Sequence, residues 1–389
     1  MGIIASGKGL LKRFISDVAQ KRHSERQPEK SPALVRINSA EENRQQLLRH
    51  IQNKDVILDS GPCRMELSVT THCNLDCIMC TGPQRTMSLD RSYHWFLDQF
   101  GGFINTLEDV SIIGLGEPLL WKDFDHAVAD LTRRGVSLRT TTNALLLHKH
   151  MDTFGTGNFR CVCVSIDGTN EVYEYVRKNG KWHQFEKNVR ALAKLMQRLK
   201  ERPILYFNVA VGSYNYADIP NIVAFAQEVG VDIVTLNRVS FGRIVDEDPK
   251  ADLLLSGQYE DFRAMMRKLT DVSKVTVACV FDPSLSIYPT CDNSTAPRFE
   301  QPLPYHVIAV DDGAVQCIYP FTSVQYWSGD VLTPCCMLTR KYTVSESTFA
   351  SYWNGQYVQD LRQRAYEHTL IPGPCGKDAC AFARTFVKK

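Results

Sequence analysis

Three cysteines in the run Cys73-Asn74-Leu75-Asp76-Cys77-Ile78-Met79-Cys80 carry the spacing in this chain best suited to chemistry. At this spacing their thiolates can wrap one loop around an iron–sulfur cubane and bind three of its irons. The fourth iron then stays open, unlike the site of a four-cysteine electron carrier, and can chelate a small molecule through an amine and a carboxylate. Two plainer readings fit the same residues: a zinc site, or three cysteines packed as small apolar side chains.

A loop of this kind must be held by regular elements. From about residue 63 the sequence alternates between short β-branched runs and amphipathic stretches. The pattern predicts strands at Arg64–Thr70, Asp109–Gly114, Ser137–Thr142, Arg160–Ile166, Ile204–Val211 and Ile233–Val239. Helices are predicted between them, including Phe124–Arg134, Phe185–Lys200 and Ile219–Glu228, with a further helix around 258–272 and a strand at 275–281. Six strand-then-helix units argue for a parallel sheet under an outer helix layer, curled by right-handed crossovers into a full or partial barrel. The cysteine triplet falls just past the end of the first strand. Strand alternation puts Cys161, Cys163 and Ser165 on one face and Val162, Val164 and Ile166 on the other, with Arg139, Thr141 and Asn143 likewise sharing a face. Polar-inward, apolar-outward strands suit a barrel with a site inside, and Cys161 and Cys163 read as filler beneath it.

Four further features follow in order. Gly114-Leu115-Gly116-Glu117-Pro118 ends the second strand, Asn143 the third, and Ser165-Ile166-Asp167-Gly168 the fourth, while Arg177 stands ten residues past Asp167. With the cysteine triplet, this order resembles the radical S-adenosylmethionine (radical SAM) superfamily. The resemblance implies an α/β fold, a partial (β/α)6 barrel of the radical SAM type, binding a [4Fe-4S] cluster on Cys73, Cys77 and Cys80 and S-adenosyl-L-methionine on its open iron. It places Gly114, Gly116, Glu117 and Pro118 against the methionine amino group, with the glycines letting backbone approach the ligand. Asn143, Ser165 and Asp167 would line the cofactor, and Arg177 would pair with the methionine carboxylate, which a guanidinium fork matches well. The residue before the third cysteine, usually aromatic in this family and packed on the adenine, is here Met79, whose polarizable thioether can do that work.

After Asp282-Pro283 the alternation stops, and residues 284–389 hold six of the thirteen cysteines. Cys317-Ile318-Tyr319-Pro320-Phe321, Gly329 to Cys335-Cys336, Tyr352-Trp353-Asn354, Leu361-Arg362, Cys375 and Cys380 resemble in order the SPASM or shorter twitch extension behind many radical SAM barrels. The spacing is irregular: five residues separate Gly329 from Cys335, and four separate Cys375 from Cys380. The resemblance implies one auxiliary [4Fe-4S] cluster on Cys317, Cys335, Cys375 and Cys380, with Cys336 the alternative to Cys335 and zinc the alternative metal. The chain then divides into a helical and linker extension (1–60), a barrel (61–283) and a small loop-rich iron–sulfur domain (284–389).

The implied activity is reductive cleavage of S-adenosylmethionine to a 5′-deoxyadenosyl radical, which takes a hydrogen atom from a small molecule (a sugar or aminocyclitol) or a peptide. Dehydrogenation, epimerisation or crosslinking would follow in a biosynthetic pathway, with a flavodoxin- or ferredoxin-type electron donor. The rival reading is a non-catalytic zinc or electron-transfer protein. Forty-five basic and 43 acidic residues give a net charge of +2, which excludes a general pull toward nucleic acid. Closely spaced cysteines suit metal better than disulfides, which points to the cytoplasm. Residues 3–22 carry Ile3, Ile4, Leu10, Leu11, Phe14, Ile15 and Val18 at helical spacing among basic residues. Such a helix packs on the domain or makes a weak contact with a membrane surface or partner.

Overall fold

The structure is a computed structural model and describes residues 39–80, 90–240, 242–287, 315, 317–327, 331–335, 342–343 and 349–369. The stretch 3–22 and Cys291, Cys336, Cys375 and Cys380 lie outside the described residues.

The strands are β1 (Arg64–Ser68), β2 (Asp109–Ile113), β3 (Ser137–Thr142), β4 (Phe159–Ser165), β5 (Ile204–Val211), β6 (Ile233–Arg238), β7 (Thr276–Cys279), β8 (Ser323–Trp327), β9 (Val331–Thr333) and β10 (Tyr342–Thr343). Among the described residues they form one sheet in the order β10-β9-β8-β1-β2-β3-β4-β5-β6-β7. From β1 to β7 every neighbouring pair is parallel, as successive strand–helix units require. β3 and β5 keep the predicted bounds. β1 stops short of Thr70, whose carbonyl instead accepts the amide of Gly116 at 3.1 Å. β4 begins one residue earlier than expected because the chain pairs from Leu138 and Phe159 before a register shift.

The core lies between the sheet and the helices. Leu205, Phe207 and Val209 on β5 and Val162 and Val164 on β4 belong to one apolar cluster with Phe185, Val189, Leu192 and Met196 of helix Trp182–Met196. That helix begins three residues before the predicted Phe185. Trp182 stacks on Phe185 at 5.5 Å between ring centroids, and its amide donates to Glu174. Spacings of four, three and four put the buried four on one face, and each contributes roughly 1.5–3 kcal/mol by leaving water. The other face of the sheet is polar, carrying Arg64, Glu66, Asp109, Arg139 and Cys161 in register across β1 to β4. There Asp109 is held by Arg139 at 2.9 Å and Arg64 at 3.5 Å. Burial pushes the Cys161 and Cys163 thiols up, to about 11 and about 12, consistent with filler rather than reactive groups.

The C-terminal segment joins this sheet directly: β8 pairs parallel with β1, Arg64 opposite Ser323 and Glu66 opposite Gln325. The Trp-Asn…Leu-Arg sequence forms a latch behind the joint. Trp353 Nε1 donates to Ser60 O (2.7 Å), and Asn354 exchanges two bonds with the Leu58 backbone. Arg362, fully buried, donates to Pro320 O (3.0 Å), Val56 O (2.9 Å) and Asn354 Oδ1 (3.0 Å), and its guanidinium lies 4.6 Å from the Trp353 ring. Burial among these neutral acceptors pulls its pKa down to about 9. Arg362→Met removes these donors and leaves buried carbonyls unpaired, so urea unfolding is expected to show a loss of about 3 kcal/mol or more. A loss below about 1 kcal/mol contradicts the latch.

Candidate cluster and cofactor site

Cys73, Cys77 and Cys80 lie half-buried on the loop leaving the C-terminal end of β1, none of them joined in a disulfide. The structure brings them together, since each thiol lies within electrostatic reach of the other two. Burial pushes the Cys77 thiol up to about 11 and the Cys73 thiol in the same direction. Among the described residues, no three His, Cys, Asp or Glu side chains converge tightly enough to hold a single ion. Thiolates that take separate irons of one cubane stand farther apart than those sharing one zinc at about 2.3 Å each.

The turn after β2 lies against the chain that leads into Cys73. Gly116 N donates to Thr70 O at 3.1 Å and Glu117 N to His72 O at 2.7 Å. A Cβ on Gly116 would stand 2.2 Å from His72 O, so the close backbone approach predicted at this glycine is made to the protein chain. Glu117 is buried, and its carboxylate accepts from Thr142 Oγ1 (2.6 Å), Asn143 N (2.7 Å) and Leu119 N (3.2 Å). Expected to line a ligand, that carboxylate ties the ends of β2 and β3 together. Asn143 donates through Nδ2 to Asn74 Oδ1 at 2.8 Å, inside the cysteine loop. Pro118 is buried at the start of a short helical turn.

From β4, Ser165 is half-buried on the polar face. Asp167 is fully buried, with Oδ1 accepting from Ala210 N (2.7 Å) and Oδ2 paired with Arg177 Nη2 (2.7 Å). Arg177 reaches on to Cys77, with Nη1 4.0 Å from Sγ. Burial opposes its charge, but Asp167 and Cys77 outweigh that and raise its pKa. Its Nε is buried without a hydrogen-bond partner. A buried guanidinium nitrogen left open beside three convergent thiols fits an anionic group bound next to a cluster, and the residues present fit the expected cofactors. Met79 is half-buried beside Cys80, its carbonyl facing the backbone of Gly242.

Residues 67–226 match the family model of the Radical SAM superfamily. The chain carries a radical SAM domain. That superfamily uses the cofactors the triplet calls for, a [4Fe-4S] cluster and S-adenosylmethionine. The domain is 27% identical over 206 residues to GTP 3',8-cyclase of Peptoclostridium acidaminophilum, covering 47% of this chain and 58% of that protein. It is 33% identical over 115 residues to GTP 3',8-cyclase of a Synechocystis strain, covering 28% and 34%. The chain thus spans less than two thirds of the length of these relatives. The Streptococcus suis protein SuiB, solved with S-adenosylmethionine, matches at a TM-score of 0.52 and 16% identity, covering 92% of this chain and 78% of that one. The protein titled anSMEcpe, solved with AdoMet and a peptide, matches at 0.52 and 14% identity, covering 83% and 87%. At these identities the structural matches show the fold alone. Among the described residues no helix is long and apolar enough to cross a membrane.

Of the C-terminal cysteines, Cys317 and Cys335 are described, both half-buried. Cys317 precedes β8 and Cys335 follows β9, whose Thr333 is register-paired with Gln325. Both therefore sit toward the N-terminal end of β8, the opposite end of the parallel β1–β8 pair from Cys73. The sequence reading missed Gly242 and Arg243, which contact the cysteine loop directly. A Gly-Arg pair just past the end of β6 was the available signal.

Gly116→Ala is expected to displace the chain ahead of Cys73 and lower the iron retained after reconstitution to below half that of the wild type. Gly101→Ala, where no atom lies within 4 Å of the added carbon, is expected to retain it fully. Equal iron in the two variants contradicts the role assigned to Gly116.

Proposed function

We propose that this protein is a radical SAM enzyme that abstracts a hydrogen atom from a small polar molecule or a short peptide. The observation that carries the reading is the buried Arg177, shared between Asp167 and Cys77 with one nitrogen open, beside the loop on which Cys73, Cys77 and Cys80 meet. When bound, the cluster and S-adenosylmethionine supply a reductive carbon–sulfur cleavage whose adenosyl fragment takes the hydrogen atom.

This chain's residues do the positioning. Cys73, Cys77 and Cys80 hold the cluster. Arg177, oriented by Asp167, receives the methionine carboxylate, while Ser165 and the backbone near Gly114 and Asn143 bound the rest of the cofactor. Glu117 keeps the ends of β2 and β3 fixed so that this wall does not move. The polar face below offers half-buried Glu66, Tyr206, Asn208, Thr235 and Asn237 beside Ser165, a lining suited to a hydrogen-bonding substrate. Burial pushes the Glu66 carboxyl up while Arg64 and Arg139 oppose it. Cys317, Cys335, Cys375 and Cys380 hold one auxiliary [4Fe-4S] cluster. At about 3.3 Å per residue, the length of β1 separates Cys73 from the end of the sheet where Cys317 and Cys335 lie by roughly 13 Å, leaving room for a substrate between them. Held there, such a cluster would supply one-electron chemistry toward the substrate radical or a hydrogen donor. A flavodoxin- or ferredoxin-type protein supplies the first electron.

The names of the relatives make GTP the first small molecule to test. The SuiB structure with its precursor peptide SuiA supports the peptide alternative. The protein, purified without oxygen, reconstituted with iron and sulfide and reduced with S-adenosylmethionine present, is expected to form 5′-deoxyadenosine. Cys77→Ala is expected to form none. A fully iron-loaded wild type that forms no 5′-deoxyadenosine, alone or with GTP, contradicts the catalytic reading.

A further inference from the structure

The cysteine loop is held on both sides, much as a strand is held by its neighbours. On one side Asp76 N donates to Lys178 O (3.0 Å) and Ile78 N to Val176 O (3.0 Å), flanking the arginine that reaches Cys77. On the other side the partner is the short segment after β6. Ile244 N donates to Ile78 O at 3.1 Å. Arg243 Nη2 donates to Cys77 O (3.0 Å) and Asp76 O (3.2 Å), and Nη1 to Asp76 Oδ1 (3.1 Å). Gly242, at φ +107°, lies so close that a Cβ would stand 2.2 Å from Met79 O. One guanidinium thus closes three acceptors around Cys77, and the glycine before it lets the two backbones touch.

We propose that Arg243 is a positioning residue of the radical SAM centre: it fixes the backbone that carries the Cys77 thiolate and holds positive charge behind the cluster. The inference rests on the reading that Cys73, Cys77 and Cys80 hold a [4Fe-4S] cluster. The ion pair with Asp76 does not account for the contact. Both side chains are partly open to water, 25% and 34% exposed, and such pairs are worth little. The two bonds to main-chain carbonyls are what a planar fork with several donors supplies and a single ammonium does not. Groups that orient a ligand residue from outside the metal's own coordination commonly change metal affinity or activity 10–100-fold when replaced, and Arg243 does so through the backbone of Cys77. Positive charge near a cluster also favours the electron added on reduction.

The test uses the reconstituted full chain and two readouts that do not depend on turnover. One is the rate at which a ferrous chelator strips iron from the reduced protein; the other is the midpoint potential of the cluster from a titration followed by electron paramagnetic resonance. Arg243→Gln is expected to lose iron about tenfold faster than wild type and to titrate at a more negative potential. Asp76→Asn, which removes the ion pair and keeps both carbonyl bonds, is expected to stay close to wild type in iron loss. Arg243→Lys is expected to fall between wild type and the glutamine variant, and carries the test if that variant does not fold. Wild-type behaviour of the arginine variants in both readouts overturns the proposal, as does an Asp76→Asn variant that reproduces the full effect. A wild type that takes up no cluster at all overturns the underlying reading with it, an outcome distinct from either of the others.

Discussion

A cluster that keeps one iron open has to be gripped by three thiolates alone, so the protein must hold those thiolates in place by other means. In this chain the means is main-chain pairing of residues 76–78. Their amides are taken by Val176 and Lys178, and their carbonyls by Arg243 and Ile244. Both partner segments follow strands of the same parallel sheet, so their positions relative to β1 are set by the register from β1 through β4 to β6. Parallel pairing with helical crossovers brings the C-terminal ends of β1 to β7 to one side of the sheet. The turn at Gly116, the Asn143–Asn74 contact, Asp167 and Arg177 all gather there for the same reason.

That dependence also explains why buried charge is tolerated so close to the thiols. Arg177 and Asp167 lie in the interior, where either alone would be costly. Asp167 accepts from Ala210 N and pairs with Arg177, and Arg177 is shared between Asp167 and the sulfur of Cys77 with its Nε left open. At the other end of the sheet the same logic recurs, with Asp109 held between Arg139 and Arg64. The two charged layers bracket a polar interior, while the apolar core sits outside the sheet under the helices. An interior of this kind gains little from hydrophobic burial, and the molecule derives its stability from the helix side and from the latch at Arg362.

Much of this was legible in the residues. Alternation gave the bounds of β3 and β5 without error, because strands with one buried and one half-buried face, flanked by glycine and polar turns, leave little room for slippage. It also separated the face of Val162 and Val164 from that of Cys161 and Cys163, as found. The triplet, the glycine turn, Asn143, Ser165 and Arg177 were placed at or after the ends of β1, β2, β3 and β4, and the structure brings them to the same end of the sheet. What sequence spacing did not show was who touches whom. Gly116 reads as a glycine that admits a ligand, whereas it admits the backbone at His72. Arg243 contacts a loop 166 residues earlier in the chain, and only the register of the sheet from β1 to β6 brings the two together. The pairing of β8 with β1 was hidden for the same reason: a short strand after an irregular stretch has no local signature of its partner. Glu117 shows the limit of assigning a role by motif, since two of its three protein donors, Thr142 and Asn143, stand at the end of β3, outside the Gly-Glu-Pro turn itself.

The central claim is that the loop of Cys73, Cys77 and Cys80 holds a cluster whose open iron takes S-adenosylmethionine. It is tested most directly by electron–nuclear double resonance on the reduced, reconstituted protein with S-adenosylmethionine carrying nitrogen-15 in its methionine amine. Coordination predicts a nitrogen-15 hyperfine coupling to the cluster that is present in wild type and absent from Cys77→Ala. A wild-type spectrum of the reduced cluster that shows no such coupling, with the labelled compound in saturating excess, would contradict the account.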